Sequence, residues 1–416
     1  MDPLLSGNSA GSGRTTQPGV VAEIPDAAGR AARALSWARK NRPALIRFIG
    51  ELVECESPTD SPDAVSRCAE LLADSLGDIA DGRAIPTGAG VGRTYIGEFR
   101  LPGSHLPGKA KRGRILALGH SDTVWPMGTI RSMEFRQRDG RLWGPGVLDM
   151  KSGLAIFAFA MRGLRELQIP VVHAVTLLVN PDEETGSAAS RQATEAHARG
   201  CRAVLVLEPG TGLEGKAKTA RKGIGSYRVA VRGVAAHSGV DFEKGASAVV
   251  ELARQIEKIS GFTDLTRGIT VNPGVISGGT RSNVIAAHAE AQVDIRVPRA
   301  GDAVALEKKF RSLRPFDKRC SIEVSGGLNR PPMERSKGTA ELFRLARGFA
   351  AELGVTLEES STGGGSDGNF TAALRVPTLD GIGAVGEGAH AAHESVLVDR
   401  LADRVALLAK LVAGIG

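Results

Sequence analysis

Ile115-Leu116-Ala117-Leu118-Gly119-His120-Ser121-Asp122-Thr123-Val124 is the stretch that decides how this chain folds. Apolar residues that run on without alternation read as a strand covered on both faces, as in a parallel sheet between helices. Such a strand hands His120 to the carboxyl edge of the sheet, where open α/β folds keep their chemistry. Two residues further, in extended backbone, Asp122 points the same way as His120, so its carboxylate is placed to accept the second imidazole N–H and fix the ring. Taken alone, His-Ser-Asp reads as well as a loop histidine beside a capping aspartate.

Three further segments repeat the theme. Gly144-Pro145-Gly146-Val147-Leu148-Asp149-Met150-Lys151-Ser152-Gly153 is a glycine-rich loop that places Asp149 just ahead of an apolar helix from Leu154 to Leu164. Val175 to Asn180 is a β-branched and apolar strand that runs into Asp182-Glu183-Glu184-Thr185-Gly186-Ser187. Adjacent carboxylates at a strand end repel one another unless cations gather them. Ala203-Val204-Leu205-Val206-Leu207 stops at Glu208-Pro209-Gly210. Near the C-terminus, Gly386-Glu387-Gly388-Ala389-His390-Ala391-Ala392-His393-Glu394-Ser395-Val396 adds two histidines before a helix from Asp399 to Val412. Histidines with several carboxylates, one of them free to bridge, suit Zn²⁺, Co²⁺ or Mn²⁺.

The series GHSDTV, GPGVLDMKSG, NPDEETGS, VLEPG, GVAAHSG, GGGSDGNF and GAHAAHESV resembles the dinuclear zinc peptidase and deacylase superfamily. That superfamily includes carboxypeptidase G (glutamate carboxypeptidase), the aminoacylases, acetylornithine deacetylase and succinyl-diaminopimelate desuccinylase. The likeness runs co-linearly from about Asn41 to the C-terminus and is nearest the carboxypeptidase G branch. It implies that two Zn²⁺ per subunit, with Co²⁺ or Mn²⁺ as alternatives, are held by His120, Asp149, Glu184, Glu208 and His390. Asp149 would bridge, and His393 is the other candidate for the last ligand. Asp122 would orient His120, Glu183 would be the general base, and the Asp149-Met150 peptide would be cis. His237 would reach an active site, commonly the partner subunit's, to stabilise the oxyanion. Asn283 and Arg296 match positions that bind substrate polar groups or its carboxylate; Arg330 and Lys216 are further candidates for an acidic group, and Gly364 and Gly365 would let backbone N–H groups approach a carboxylate.

The implied reaction is hydrolysis of an amide next to a C-terminal glutamate-like residue. A water between the ions, acidified by them, attacks the acyl carbonyl, and Glu183 takes its proton and returns it to the leaving amine. The substrate is then a small molecule or short peptide with a free carboxylate. Deacylation of an N-acyl-amino acid of the acetylornithine or succinyl-diaminopimelate type uses the same centre, and a catalytically inactive binding protein on the same fold is the rival of a different class.

Composition is consistent with such an enzyme. The chain has 416 residues, 42% of them hydrophobic, enough for a large core and more than one domain. Cys55, Cys68, Cys201 and Cys320 lie far apart without metal-ligand spacing and read as free thiols of a reducing compartment. The formal charge of +7 is dispersed and aromatics make up 4% of residues, so nucleic acid is not expected as a partner. No apolar run is long enough for a membrane span, and the cytoplasm is the expected location.

Three parts are expected: a flexible arm over 1–28, a zinc-binding catalytic domain over 29–221 and 334–416, and an insert over 222–333. The catalytic domain should be α/β, with a mixed, mainly parallel sheet flanked by helices. It begins with helical periodicity from Ala31 to Leu52 and a second helix from Asp63 to Leu76, separated by Glu56-Ser57-Pro58-Thr59. In the insert the pattern changes to alternation, in Ser226 to Gly233 and Ala289 to Val297, with helices over Ala246–Ile259 and Ala303–Arg314. That is a sheet covered on one face, an α+β (ferredoxin-like) unit, which the resemblance makes a lid or dimerisation domain of a homodimer. His105 in a polar loop, His197 in an exposed helix, and His173 and His288 at strand positions without acidic neighbours at useful spacing read as structural.

Overall fold

The computed structural model describes residues 27–103 and 113–416. The expected N-terminal arm falls almost wholly outside these residues, as does His105. The fold is mixed α/β. Its central sheet has six strands in the order Ala80–Pro86, Arg93–Phe99, Ala174–Asn180, Arg114–His120, Ala203–Val206 and Thr378–Leu379. The first two are antiparallel additions at one edge, and the last four run parallel to one another.

Both faces of the parallel strands are covered, as their unbroken apolar runs demand. Ile115 and Ala117 pack into the larger core with Val175, Leu177, Val179 and the helices Ala27–Glu54, Ser152–Glu166 and Leu401–Gly414. Leu116 and Leu118 point the other way, into a smaller core with Leu178, Val204, Val206 and Val376. The helix Ser152–Glu166 is buried on nearly every face. It starts hard against the strand end that carries Glu208: a Cβ on Gly153 would stand 2.1 Å from the carbonyl oxygen of Leu207.

A second sheet, of four antiparallel strands, has the order Thr270–Gly278, His288–Val297, Gly223–Arg232 and Ser321–Arg330. With the helices Ala248–Ser260 and Ala300–Arg311 it encloses its own core, in which Tyr227 stacks on Phe310 at 3.9 Å between ring centroids. The alternation in Gly223–Arg232 and His288–Val297 is that of strands with one face against this core. All four cysteines are free thiols. Among the described residues no helix is long and apolar enough to cross a membrane.

Candidate metal centre

Register brings the acids and histidines together. His120 pairs with Asn180 across the parallel ladder and Leu118 pairs with Val206, so three adjacent strands end at one level. The residues that follow them, Glu183, Glu184 and Glu208, share that edge with His120. Nε2 of His120 lies 3.3 Å from an Asp149 oxygen and 3.6 Å from Glu208. Nε2 of His390 lies 3.2 Å from Glu184 and 3.4 Å from the other Asp149 oxygen. Asp149 thus stands between the two imidazoles, the geometry of a bridging carboxylate. One ligand atom each from His120, Asp149 and Glu184 fall within 4.8 Å of one another, and so do atoms from His120, Glu183 and Glu208. His390 has φ +62, a left-handed conformation that a non-glycine residue keeps where its surroundings hold it.

The electrostatics of this cluster are those of crowded carboxylates around two imidazoles. Burial opposes a charge on His120, but Asp122, Asp149 and Glu208 together raise its pKa well above the usual histidine value. Asp149 and Glu184 raise His390 to about 10. Burial would also raise Asp149, yet its bonds to His120 and His390 hold its carboxyl far below the usual range. Burial pushes Glu184 up, and pushes Glu183 well up against the pull of Arg330. Crowded carboxylates here keep protons on imidazoles, the place that divalent cations take when ligands bind in their neutral-histidine, ionised-carboxylate form. The donor set, imidazole nitrogen and carboxylate oxygen, fits Zn²⁺, Co²⁺ or Mn²⁺.

Around the cluster the chain is clamped. Nδ1 of His120 lies 3.0 Å from the main-chain carbonyl of Asp122 and 3.4 Å from its carboxylate. The Asp122 carboxylate is occupied mainly elsewhere: it accepts the N–H groups of Glu183 and Glu184, at 3.2 and 3.1 Å, and the Thr59 hydroxyl at 2.8 Å. One buried aspartate therefore sets both the His120 ring and the backbone of the paired glutamates. Glu394 does the same for Asp149. It accepts the N–H groups of Gly146, Leu148 and Asp149 at 2.8 to 3.0 Å and the Trp125 indole N–H at 2.8 Å. The Asp149-Met150 peptide in that loop is cis.

The other expected residues are dispersed. Arg330 is buried, and its guanidinium bonds to Asp367, the Ser187 hydroxyl and the Glu183 carbonyl, with Glu183 Oε1 3.0 Å away. Arg296 pairs with Asp294 and leans, at 3.5 Å, on the carbonyl of Gly363. Gly364 and Gly365 turn their carbonyls towards Arg221, at 3.4 and 3.0 Å. Lys216 is tied at 2.6 Å to Glu358, away from the cluster. His237 and Asn283 sit together in the second unit, where Ser238 N–H bonds to the Asn283 carbonyl, and His237 is exposed. His393 makes no contact with the cluster among the described residues, unlike His390. Sequence reading passed over Glu394 as the acceptor that clamps this loop, and over Arg221 and Asp380. Arg221 is buried, paired with Asp380 at 2.7 Å and 3.8 Å from Glu208. Its signal was a charged residue closing the small, half-buried run Ala217 to Ala220.

Imidazoles and carboxylates converging at the carboxyl edge of a parallel sheet are the donor set and the place of a metal-dependent enzyme of the α/β class. Comparison with known proteins makes the assignment specific: residues 116–414 match the model of peptidase family M20/M25/M40, and the chain belongs to that family. It is 28% identical over 385 residues to carboxypeptidase G2 of Pseudomonas sp., covering 91% of each chain. To succinyl-diaminopimelate desuccinylase of Cereibacter sphaeroides it is 29% identical over 363 residues, covering 80% of this chain and 92% of that one. The crystal structure of aminopeptidase PepT from Bacillus cereus superposes with a TM-score of 0.76 at 24% identity, covering 90% of this chain and 99% of that one.

Proposed function

We propose that this hydrolase binds two zinc ions and cleaves an amide whose leaving amine is a glutamate-like amino acid. The observation that carries the reading is Asp149 set between His120 and His390, with Glu208 and Glu184 beside them. His120, Asp149 and Glu208 would hold one ion, and Asp149, Glu184 and His390 the other. Ions held there supply Lewis acidity to the substrate's carbonyl. Glu183, adjacent to a ligand and pushed up by burial, accepts a proton from the attacking water at its carboxylate and delivers it to the amine nitrogen as the C–N bond breaks. Arg330 holds that carboxylate in place. We further assign 222–333 as a lid and dimerisation domain, with His237 offered to the oxyanion in the partner's site. Deacylation of a succinyl- or acetyl-amino acid is the second reading, favoured by the likeness to a desuccinylase over 92% of its length.

The test is metal content by elemental analysis, with hydrolysis of N-acyl-glutamates and N-succinyl-amino acids before and after chelation. Two zinc ions per chain and chelator-sensitive glutamate release are expected. Glu183→Gln should keep both ions and lose roughly 10²- to 10⁴-fold in kcat. Near-normal turnover in that variant removes Glu183 as the base, and metal-independent turnover removes the reading itself.

A further inference from the structure

Two of the cysteines meet beside the loop that carries Asp149. A short turn joins the helices Ala27–Glu54 and Pro62–Leu76; Cys55 opens that turn and Cys68 sits in the second turn of the helix after it. Their thiols are hydrogen-bonded to each other, and Ser57 lies within hydrogen-bond reach of Cys68. Cys68 is fully buried in the larger core, whereas Cys55 is half-buried at its rim. Cys201 belongs to the smaller core and Cys320 to that of the antiparallel sheet, so neither has a second thiol in its own core.

Of the two thiols in contact, the outer one takes the charge. The hydrogen bond from Cys68 lowers the Cys55 pKa to about 6, with Lys151 and Arg67 adding to the fall and burial opposing it. Cys68 is pushed well up by Cys55 and by burial. A half-exposed thiolate bonded to a protonated thiol is a nucleophile with its resolving partner already in place.

The turn between the helices is tied to the metal cluster along its length. The Cys55 carbonyl accepts the buried ammonium of Lys151, two residues after Asp149, at 2.7 Å. Glu56 accepts the N–H groups of Gly128 and Ile130, both at 3.0 Å. The Ser57 hydroxyl donates to the Ser121 carbonyl at 2.6 Å. The Thr59 hydroxyl donates to the Asp122 carboxylate, the group that also holds the N–H groups of Glu183 and Glu184. A disulfide brings its sulfurs to about 2 Å, far inside hydrogen-bond distance. Because Cys68 is fixed in the core, closing that bond moves Cys55 and the contacts that follow it.

We propose that Cys55 and Cys68 are a reversible oxidation site whose disulfide loosens the metal centre. The oxidant is a hydroperoxide. The Cys55 thiolate attacks one peroxide oxygen, an S–O bond forms as the O–O bond breaks, and the leaving oxygen takes up a proton. The Cys68 sulfur then attacks Cys55, and its proton leaves with the displaced hydroxyl as water. Two thiols lose two electrons and the peroxide gains them. The candidate ligands are imidazoles and carboxylates, so thiol oxidation acts on the centre through this pair and not on a ligand. Only the effect on turnover rests on the hydrolase reading above.

The experiment treats the full chain with stoichiometric hydrogen peroxide and maps its cysteines by alkylation and peptide mass spectrometry. A Cys55–Cys68 cross-link is expected, with Cys201 and Cys320 still alkylated, and a phosphine reductant should restore all four thiols. The cross-linked chain should bind zinc roughly tenfold or more weakly than the reduced chain in competition with a chromophoric chelator, and recover on reduction. Cys68→Ala should trap a sulfenic acid on Cys55, seen as its dimedone adduct. Cys55→Ser, which cannot form the bond, should match the reduced parent's zinc affinity within about threefold, with or without peroxide. Thermal melting of each variant confirms a folded chain. No cross-link between these two residues, a cross-link formed elsewhere, or a cross-linked chain with unchanged zinc affinity overturns the proposal. Hydrolysis of N-acyl-amino acids by the reduced chain is scored separately: no turnover, with the cross-link and its effect on zinc intact, removes the hydrolase reading and leaves the oxidation site standing.

Discussion

Arg330 shows how a side chain that sequence reading offers to a substrate is claimed by its own protein. Its guanidinium is buried against Asp367, Ser187 and both the carbonyl and carboxylate of Glu183, which leaves little of its donor fork for a ligand. Removing one partner of such a set leaves the others as uncompensated buried charges. Arg330→Met is therefore expected to lower unfolding stability by roughly 3 to 5 kcal/mol, read from denaturant melts. It should also reduce kcat by releasing the Glu183 carboxylate, with little change in KM. A large rise in KM at unchanged kcat and stability would return Arg330 to the substrate site. The residues legible in the sequence were those at strand ends: His120, Asp149, Glu183, Glu184 and Glu208 each follow or precede an apolar run that has one sensible place in an α/β fold. Arg330 was legible as a charge but not in its partners, because Asp367 is 37 residues away and pairing across the sheet edge leaves no periodic trace.

At the scale of an element, the loop from Gly144 to Lys151 depends on a carboxylate from the far end of the chain. Glu394 accepts three of its N–H groups across 245 to 248 residues of sequence. It anchors the turn that aims Asp149 at the two histidines. Groups that hold a metal ligand in place in this way commonly alter metal affinity by about 10- to 100-fold when removed. Glu394→Gln keeps a carbonyl acceptor but cannot accept on both sides of the loop. It should weaken binding of a divalent metal by about that factor, as measured by competition with a chromophoric chelator, while far-ultraviolet circular dichroism stays unchanged. Unaltered affinity would show that Asp149 holds its own position. The strands and the long helices were readable from periodicity, since burial on two faces or one writes an unbroken or an alternating run. The bulge at Thr219 was not, because the extra residue appears only once the partner strand Glu359–Thr362 is in register.

The described residues form separate cores, one on each face of the central sheet and one beneath the antiparallel sheet. The candidate metal cluster belongs to the central sheet and His237 to the antiparallel unit, where it is exposed and its ring nitrogen accepts the Gly239 N–H at 3.2 Å. No hydrogen bond or ion pair among the described residues ties His237 to its own cluster, and the proposed role at the oxyanion would then be supplied across a dimer. The Thr270–Gly278 strand offers the surface for one: it is the edge of its sheet, with Val275 57% and Ile276 64% exposed. An unpaired edge bearing apolar side chains favours pairing with a second copy. The consequence is a test by complementation. On the proposed roles Glu183→Gln would lack the base and His237→Ala the oxyanion donor, and each homodimer should be inactive. Mixed and re-equilibrated in equal amounts, half of the dimers would be heterodimers, in which one site draws an intact His237 from the Glu183→Gln subunit and keeps its own Glu183. Activity should then recover to roughly a quarter of the wild-type value, with a dimeric mass in light scattering. If His237 serves its own subunit's site, the two lesions fall in different sites of the heterodimer and each still disables the site it lies in, so the mixture stays as inactive as its parents.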